Sequence, residues 1–485
     1  MRVAAAALLI AGLSLAASSA EAQLFSSSNG SSSNGLGANG MTSDATTRER
    51  QPWLTYGIDA GLGESDNVTL ASTEKVSQTI AITDLDFLIK ERSRLLEANV
   101  TGDFSYLDYL QHAFGNQLIG RFDGQGKLAI VPGRLAWVVE DNFGQAVVDP
   151  YAPTTPDNLE NINYFSTGPE LMLRLGGVNF VDLSARYARA QYQKSPFDSN
   201  RGVGSLALGR DISAGASVSI NAQFERVMFD TTGSVVTMGP LGVSNPTLNA
   251  DFNRSSAFGR YQIQGLRTEL EADLGATQIR QGNDRTSGPL AKLNLSRQLT
   301  AAAKLTLTAA RELTDASSSF GMLRNGGTPG SGNYIAAAPA PQTAGNYTSD
   351  FGSITWEYAR NRTRLAVSAR WEKDLYPGEP LLDSELSFAD LTVERRLTRH
   401  LSVQLLGRYS RTDYLNADVA TASASSKFDD RLFGAGIRWH HGHGLEIRLR
   451  LSHTSHDVSA GGSGYNANQA FLTVGYRPVS TRDSM

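Results

Sequence analysis

Leu96-Glu97-Ala98-Asn99-Val100-Thr101-Gly102-Asp103-Phe104-Ser105-Tyr106 is the stretch that decides the fold. Leu96, Ala98, Val100, Gly102, Phe104 and Tyr106 fall on one side of an extended chain, and Glu97, Asn99, Thr101, Asp103 and Ser105 on the other. A helix, with its 3.6-residue period, cannot separate those two sets. The split recurs at Ala216, Val218, Ile220, Ala222 and Phe224 against Ser217, Ser219, Asn221, Gln223 and Glu225. It recurs again at Leu270, Ala272 and Leu274 against Glu269, Glu271 and Asp273, and at Leu445, Ile447, Leu449 and Leu451 against Glu446, Arg448, Arg450 and Ser452. In these segments the carboxylates and guanidinium groups all lie on the polar side. Period two holds from Trp53 almost to the end, which is the mark of strands with one apolar and one polar face.

The connections have a rhythm of their own. Brief ones are expected near Val131-Pro132-Gly133, Gly176-Gly177, Arg210-Asp211, Gly265-Leu266, Arg297-Gln298, Asn361-Arg362, Thr398-Arg399 and Gly442-His443. Between them lie longer ones rich in Gly, Ser, Asn and Pro, the longest running from Met228 to Asn253 and from Thr314 to Tyr347. Short turns on one side and long loops on the other is how an outer-membrane β-barrel is built. Segments counted from Trp53 to Pro478 give about 20 strands, with 18 the next choice, because bacterial barrels use even numbers. The apolar phase slips by one residue between Ile82 and Leu85 and between Phe388 and Leu391, so bulges or displaced strand ends are expected there. A soluble sandwich or solenoid would also alternate. The loop rhythm favours lipid instead, as do the aromatics near strand ends: Trp53, Tyr56, Phe104, Tyr106, Trp137, Tyr187, Trp356, Tyr358, Trp371, Tyr409, Trp439 and Tyr476.

Composition narrows the class. Only 40% of the 485 residues are hydrophobic, mean hydropathy is −0.26, and past the leader no apolar run approaches the ~18 residues of a membrane helix. Met1-Arg2, an apolar stretch from Val3 to Ala17 and Ala20-Glu21-Ala22 together read as a secretory signal peptide over 1–22, cut before Gln23. Residues 23–50 are Ser, Asn, Gly and Thr with almost nothing to bury, a disordered linker. The barrel is expected over 51–478 and a polar tail over 479–485. With no cysteine there is no lipid-anchored Cys, disulfide scaffold, thiolate metal site or Cys nucleophile. A net charge of −4, with the basic residues scattered singly, argues against nucleic acid as a partner.

Glu64-Ser65-Asp66-Asn67-Val68, at the end of the first strand, is followed by a Ser/Thr-rich second strand. Arg94-Leu95-Leu96 then opens a strand ending Tyr106-Leu107-Asp108-Tyr109. Together these resemble the PEP-CTERM system-associated outer-membrane proteins and the related putative β-barrel porin type 2 and exopolysaccharide-operon barrels. Leu391-Thr392-Val393-Glu394-Arg395-Arg396-Leu397-Thr398-Arg399-His400-Leu401-Ser402 is similar to the strand-turn-strand such barrels repeat near their C-termini. The resemblance covers most of 53–478 through short, degenerate motifs. It implies a barrel encoded beside exopolysaccharide and exosortase machinery that helps export polymer, and it brings no catalytic residues. One departure stands out. Such barrels usually finish on an aromatic residue, whereas this chain runs past Tyr476 through Arg477-Pro478 to Met485. Either Ala470, Leu472, Val474 and Tyr476 form an internal version of that signal, or the last strand lies elsewhere.

On the polar side the later strands carry Arg364, Arg370, Arg408, Arg438, Arg448 and Arg450, preceded by Lys292 and Lys304, while middle strands carry Glu269, Glu271 and Asp273. A lumenal stripe of cations would guide an anionic polymer or solute. Alternatively Arg364, Arg370 and Glu372, or Glu446 and Arg448, pair locally into a self-neutralising ladder. His440-His441-Gly442-His443 is read as a solvated turn and not a metal site, since neighbours on a strand point apart. His453, His456 and Asp457, expected in an outer loop, have no motif that fixes a nucleophile beside a base, so a hydrolase is not expected. A plug domain ahead of the barrel is not expected, which argues against energised uptake. The expectation is a single all-β transmembrane barrel in the outer membrane of a Gram-negative cell, without cofactors. Its partners would be outer-membrane lipid and lipopolysaccharide, with polysaccharide and periplasmic export machinery behind them. It would act as a conduit for exopolysaccharide export or polar solutes; the alternatives are a general diffusion porin and a non-conducting structural or adhesion barrel.

Overall fold

The computed structural model describes residues 53–149, 151–230, 237–238, 243–244, 251–318, 345–416, 427–458 and 464–478. The expected signal peptide, linker and C-terminal tail lie outside the described residues. Alternation produces long strands: β1 (Leu54–Ser65), β2 (Gln78–Arg92), β3 (Leu96–Tyr109), β4 (Gln117–Val131), β5 (Leu135–Val147), β6 (Leu159–Leu175), β7 (Asn179–Tyr192), β8 (Ser199–Ser213) and β9 (Ala216–Phe229). A two-residue ladder, β10 (Thr237–Met238) and β11 (Val243–Ser244), pairs with itself alone. Then follow β12 (Phe252–Gln264), β13 (Thr268–Gln281), β14 (Asp284–Thr300), β15 (Ala303–Asp315), β16 (Asn346–Arg360) and β17 (Thr363–Leu375). Last come β18 (Ser384–Arg396), β19 (Leu401–Tyr414), β20 (Lys427–His441), β21 (Leu445–Val458) and β22 (Tyr465–Tyr476).

All but β10 and β11 join one antiparallel sheet of 20 strands. Each strand pairs with its sequence neighbours, β9 pairs with β12, and β1 pairs with β22, so the sheet closes into a barrel. Closure gives every strand of the sheet a neighbour on both sides, so the wall has no edge strand. Both chain ends of the barrel, at Leu54 and Tyr476, lie on the rim with the short turns, and the longer loops gather on the other rim.

Parity sorts the two faces. Ile220, Leu274 and Phe433 are 74%, 71% and 59% exposed on the outer wall, where Leu449, Leu451, Leu472 and Val474 join them. Asp59, Asp84, Glu446 and Arg448, on the opposite parity, are at most 3% exposed. Tyr106, Trp137, Tyr187, Trp371, Tyr409, Trp439 and Tyr476 are exposed outward. They form two bands: Tyr106, Tyr187, Trp371 and Tyr409 toward the long-loop rim, and Trp137, Trp439 and Tyr476 toward the other. Phe104 shares the outward parity and packs against Phe87 and Phe143, with ring centroids 6.4 and 6.0 Å away.

Several local expectations need correction. Arg210-Asp211 and Arg297-Gln298 are not turns; β8 and β14 run on to Ser213 and Thr300. A register shift falls at each site, between Asp211 and Ser213 and between Gln298 and Thr300, and it is the bulge that interrupts the alternation like a turn. The phase slips at 82–85 and 388–391 carry no bulge, for both ladders of β2 and of β18 are continuous there. Instead Ile80, Ile82, Leu386 and Phe388 are apolar residues on the inner parity near the long-loop rim, where the lumen is capped. His453, His456 and Asp457 are not in a loop but within β21, which extends to Val458. The last strand does end at Tyr476, with Ala470, Leu472, Val474 and Tyr476 all on the outward parity.

Candidate functional site in the lumen

All eleven polar residues singled out in the sequence occupy inward positions of their strands. Lys292 Nζ lies 2.6 Å from Glu312, Arg450 Nη2 3.3 Å from Asp84, and Arg408 Nη2 3.9 Å from Asp390. Arg364 sits 3.7 Å from Glu394, and Arg370 pairs with Glu372. Arg438 reaches Glu446 at 3.2 Å and Glu394 at 3.8 Å. Arg448 contacts Glu446 and also Asp59 at 3.4 Å. Arg260, which the sequence reading passed over, lies 3.1 Å from Glu271 and 2.7 Å from Asp273. Lys304 stands opposite Glu357 in the β15–β16 ladder, and Glu269 opposite Gln264 and Ser296. Charge pairing is therefore the resting condition of the inner wall.

The densest network straddles the seam between first and last strands. That ladder has eight residue pairs, against twelve for β1–β2, so the fewest backbone bonds hold the place where the ring closes. Arg477, one residue beyond β22, donates to Asp86 at 2.7 Å and to Asp59 at 3.0 Å, and its Nε is 3.5 Å from Glu446. His440 Nδ1 is 3.2 Å from the same glutamate. At the other rim, the backbone N–H of Asn468 in β22 donates to Asp66 at 2.7 Å, and its side-chain amide does so at 2.6 Å. Asn67, fully buried, donates to Ala71 O at 2.8 Å and Asn466 O at 2.9 Å and accepts from Ala71 N at 3.0 Å. The Asp-Asn-Val motif thus clasps the first loop to the last strand. Sequence reasoning missed Arg477, which follows the last alternating strand, and Asp84 and Asp86, whose i, i+2 spacing was the available signal.

The long-loop mouth is capped by described segments. Tyr151, in the β5–β6 connection, donates its hydroxyl to Leu381 O at 2.6 Å, and its ring is 4.5 Å from Tyr414. Leu381 belongs to the β17–β18 connection, half-way round the 20-strand ring, so the contact spans the opening. Asn158 shapes the β5–β6 loop by donating to the carbonyls of Asp149, Ala152 and Pro153 at 2.8, 3.2 and 3.0 Å. Nearby, the β14–β15 ladder stops at Ala291↔Arg311, while β15–β16 runs on to Asp315↔Asn346. The described part of that hairpin's tip, residues 312–318, leaves β14 and turns inward. Leu313 joins Ile162, Tyr192, Val227, Phe252 and Ile279 in a buried cluster, and the Tyr192 and Ser317 hydroxyls lie 2.6 Å apart. Arg201 grips Asp315 with both terminal nitrogens, at 3.2 and 2.6 Å, and is 3.2 Å from Glu225. Arg254 pairs with Glu225 and lies 3.4 Å from Asp315, and both arginines donate to Ser318 Oγ at 2.8 Å.

Among the described residues no group of three or more His, Asp or Glu side chains is placed to hold a metal ion. His441 lies against Trp439 with centroids 5.3 Å apart, the side chain of His443 lies outside the described residues, and His456 Nδ1 meets Asp430 at 2.6 Å. No family model and no curated protein matches the chain. Among solved structures it is similar to the siderophore receptor PiuA from Acinetobacter baumannii, with 9% identity over 87% of this chain and 81% of that one and a TM-score of 0.40. A mutant of the ferric enterobactin receptor PfeA from Pseudomonas aeruginosa matches at 10% identity over 87% and 80%, TM-score 0.44. The FrpB iron transporter from Neisseria meningitidis matches at 8% identity over 87% and 82%, TM-score 0.40. All three are too distant in sequence to lend this chain a ligand.

Proposed function

We propose that this chain is an outer-membrane barrel that conducts polar solutes, with exopolysaccharide export as its more specific task and no catalytic activity of its own. The observation that carries this reading is the sorting of side chains by a closed wall: apolar groups and two aromatic bands outside, ionised pairs inside. Only lipid makes that distribution favourable, since it leaves no hydrophobic surface in water and no charge in hydrocarbon. The partners would be lipid and lipopolysaccharide around the wall and polysaccharide with its periplasmic machinery at the lumen. The reading is tested by single-channel recording of purified protein together with polymer secretion after deletion of the gene. Export predicts current and lost secretion; current with normal secretion points to a diffusion porin. A second reading, a non-conducting structural barrel, is favoured by the Tyr151–Leu381 contact across the mouth. It predicts no current under any condition.

A further inference from the structure

We propose that Arg201 and Arg254 form an anion-binding site in the mouth of the lumen, filled here by the chain's own Asp315, and that a carboxylate-bearing solute takes Asp315's place as it passes. This rests on the conduit reading. The two guanidinium groups project from the inner wall, from β8 and β12, with side chains 0% and 10% exposed. Glu225, on β9 between them, balances one charge and belongs to the same wall. Asp315 balances the other, yet it comes from the hairpin tip that has left β14. Its fork-to-fork contact with Arg201 is the geometry guanidinium offers any carboxylate. When the tip lifts, two arginines and one glutamate remain, a wall site of net charge +1. Arg201 Nε, buried and without a hydrogen-bond partner among the described residues, leaves a further donor for an incoming oxygen. An anion that binds only the lifted state shifts the tip toward opening by mass action, whereas a neutral sugar has nothing to exchange for Asp315.

The probe is D-glucuronate, with glucose as the neutral control. Because the chain has no cysteine, Ala316→Cys gives a single label site on the tip, buried while the latch holds. Glucuronate, but not glucose, is expected to speed thiol labelling at 316 by about tenfold and to raise channel open time. Asp315→Asn is expected to do both without any probe. Since that variant leaves an arginine unbalanced, Arg201→Gln with Asp315→Asn keeps the wall neutral, and should stay open and lose the glucuronate response. Faster labelling without current upholds the exchange and refutes the conduit. Current with labelling and open time that glucuronate and glucose affect alike, or that Asp315→Asn leaves unchanged, overturns the exchange and leaves the conduit standing.

Discussion

Glu225 is 3% exposed and serves two guanidinium groups at once, so its charge cannot be removed cheaply. Glu225→Ala leaves Arg201 and Arg254 with Asp315 alone, and breaking a buried pair in this way costs about 3–5 kcal/mol. The check is the temperature at which the compact, unboiled form converts to the unfolded gel band, which should fall well below that of the parent protein. Lys427→Ala removes a partly exposed pair with Asp413 and should shift that temperature little. Asp66 makes a pH prediction. Desolvation would raise its pKa, but the backbone and side-chain amides of Asn468 outweigh it and hold the carboxyl below the ordinary aspartate range. A depressed folded value means the clasp's contribution is fully present above the unfolded pKa and is lost as pH falls through the folded one. Protection of the Asn468 amide from hydrogen exchange should therefore survive acidification past the usual aspartate pKa and vanish only below it. A carboxylate with nothing to lose would leave that protection flat.

At the level of strands and loops, alternation made most of the wall legible, because one residue of slip would exchange lipid for water along a whole strand. Leu445 to Ser452 could be assigned to faces from sequence for that reason. Where the inner wall itself becomes apolar, as at Ile80, Ile82 and Phe388, the same rule produced false slips. Polar pairs at bulges, Asp211 and Gln298, produced false turns. The lumenal stripe was readable as inward charge, but its partners were not, since Arg448 meets Asp59 across the seam and Arg201 meets Asp315 from a distant hairpin. Only closure brings those together. The seam offers its own prediction: Arg477→Ala removes hydrogen bonds to Asp86 and Asp59 where the ladder is shortest, at a cost of about 1.5–3 kcal/mol each. Combined with Asp66→Ala, which opens the other rim, it should lower the heat-modification temperature by more than either change alone, as a cycle of single and double variants would record. Tyr151→Phe, which deletes the hydroxyl that reaches Leu381, should leave that temperature nearly unchanged and raise open probability in bilayer recordings.

For the molecule as a whole, transport requires lipid on the outside and water on the inside of a closed cylinder. Absence of cysteine allows one spin label to be placed at a time along β21, at Ile447, Arg448, Leu449, Arg450 and Leu451, with the protein folded in lipid vesicles. Collision with oxygen, which partitions into hydrocarbon, and with a water-soluble nickel complex then reports each position. Labels at 447, 449 and 451 should favour oxygen, and those at 448 and 450 should favour the nickel complex or be shielded from both. Equal accessibility along the strand, or an inverted alternation, would contradict a membrane barrel with its charges inside.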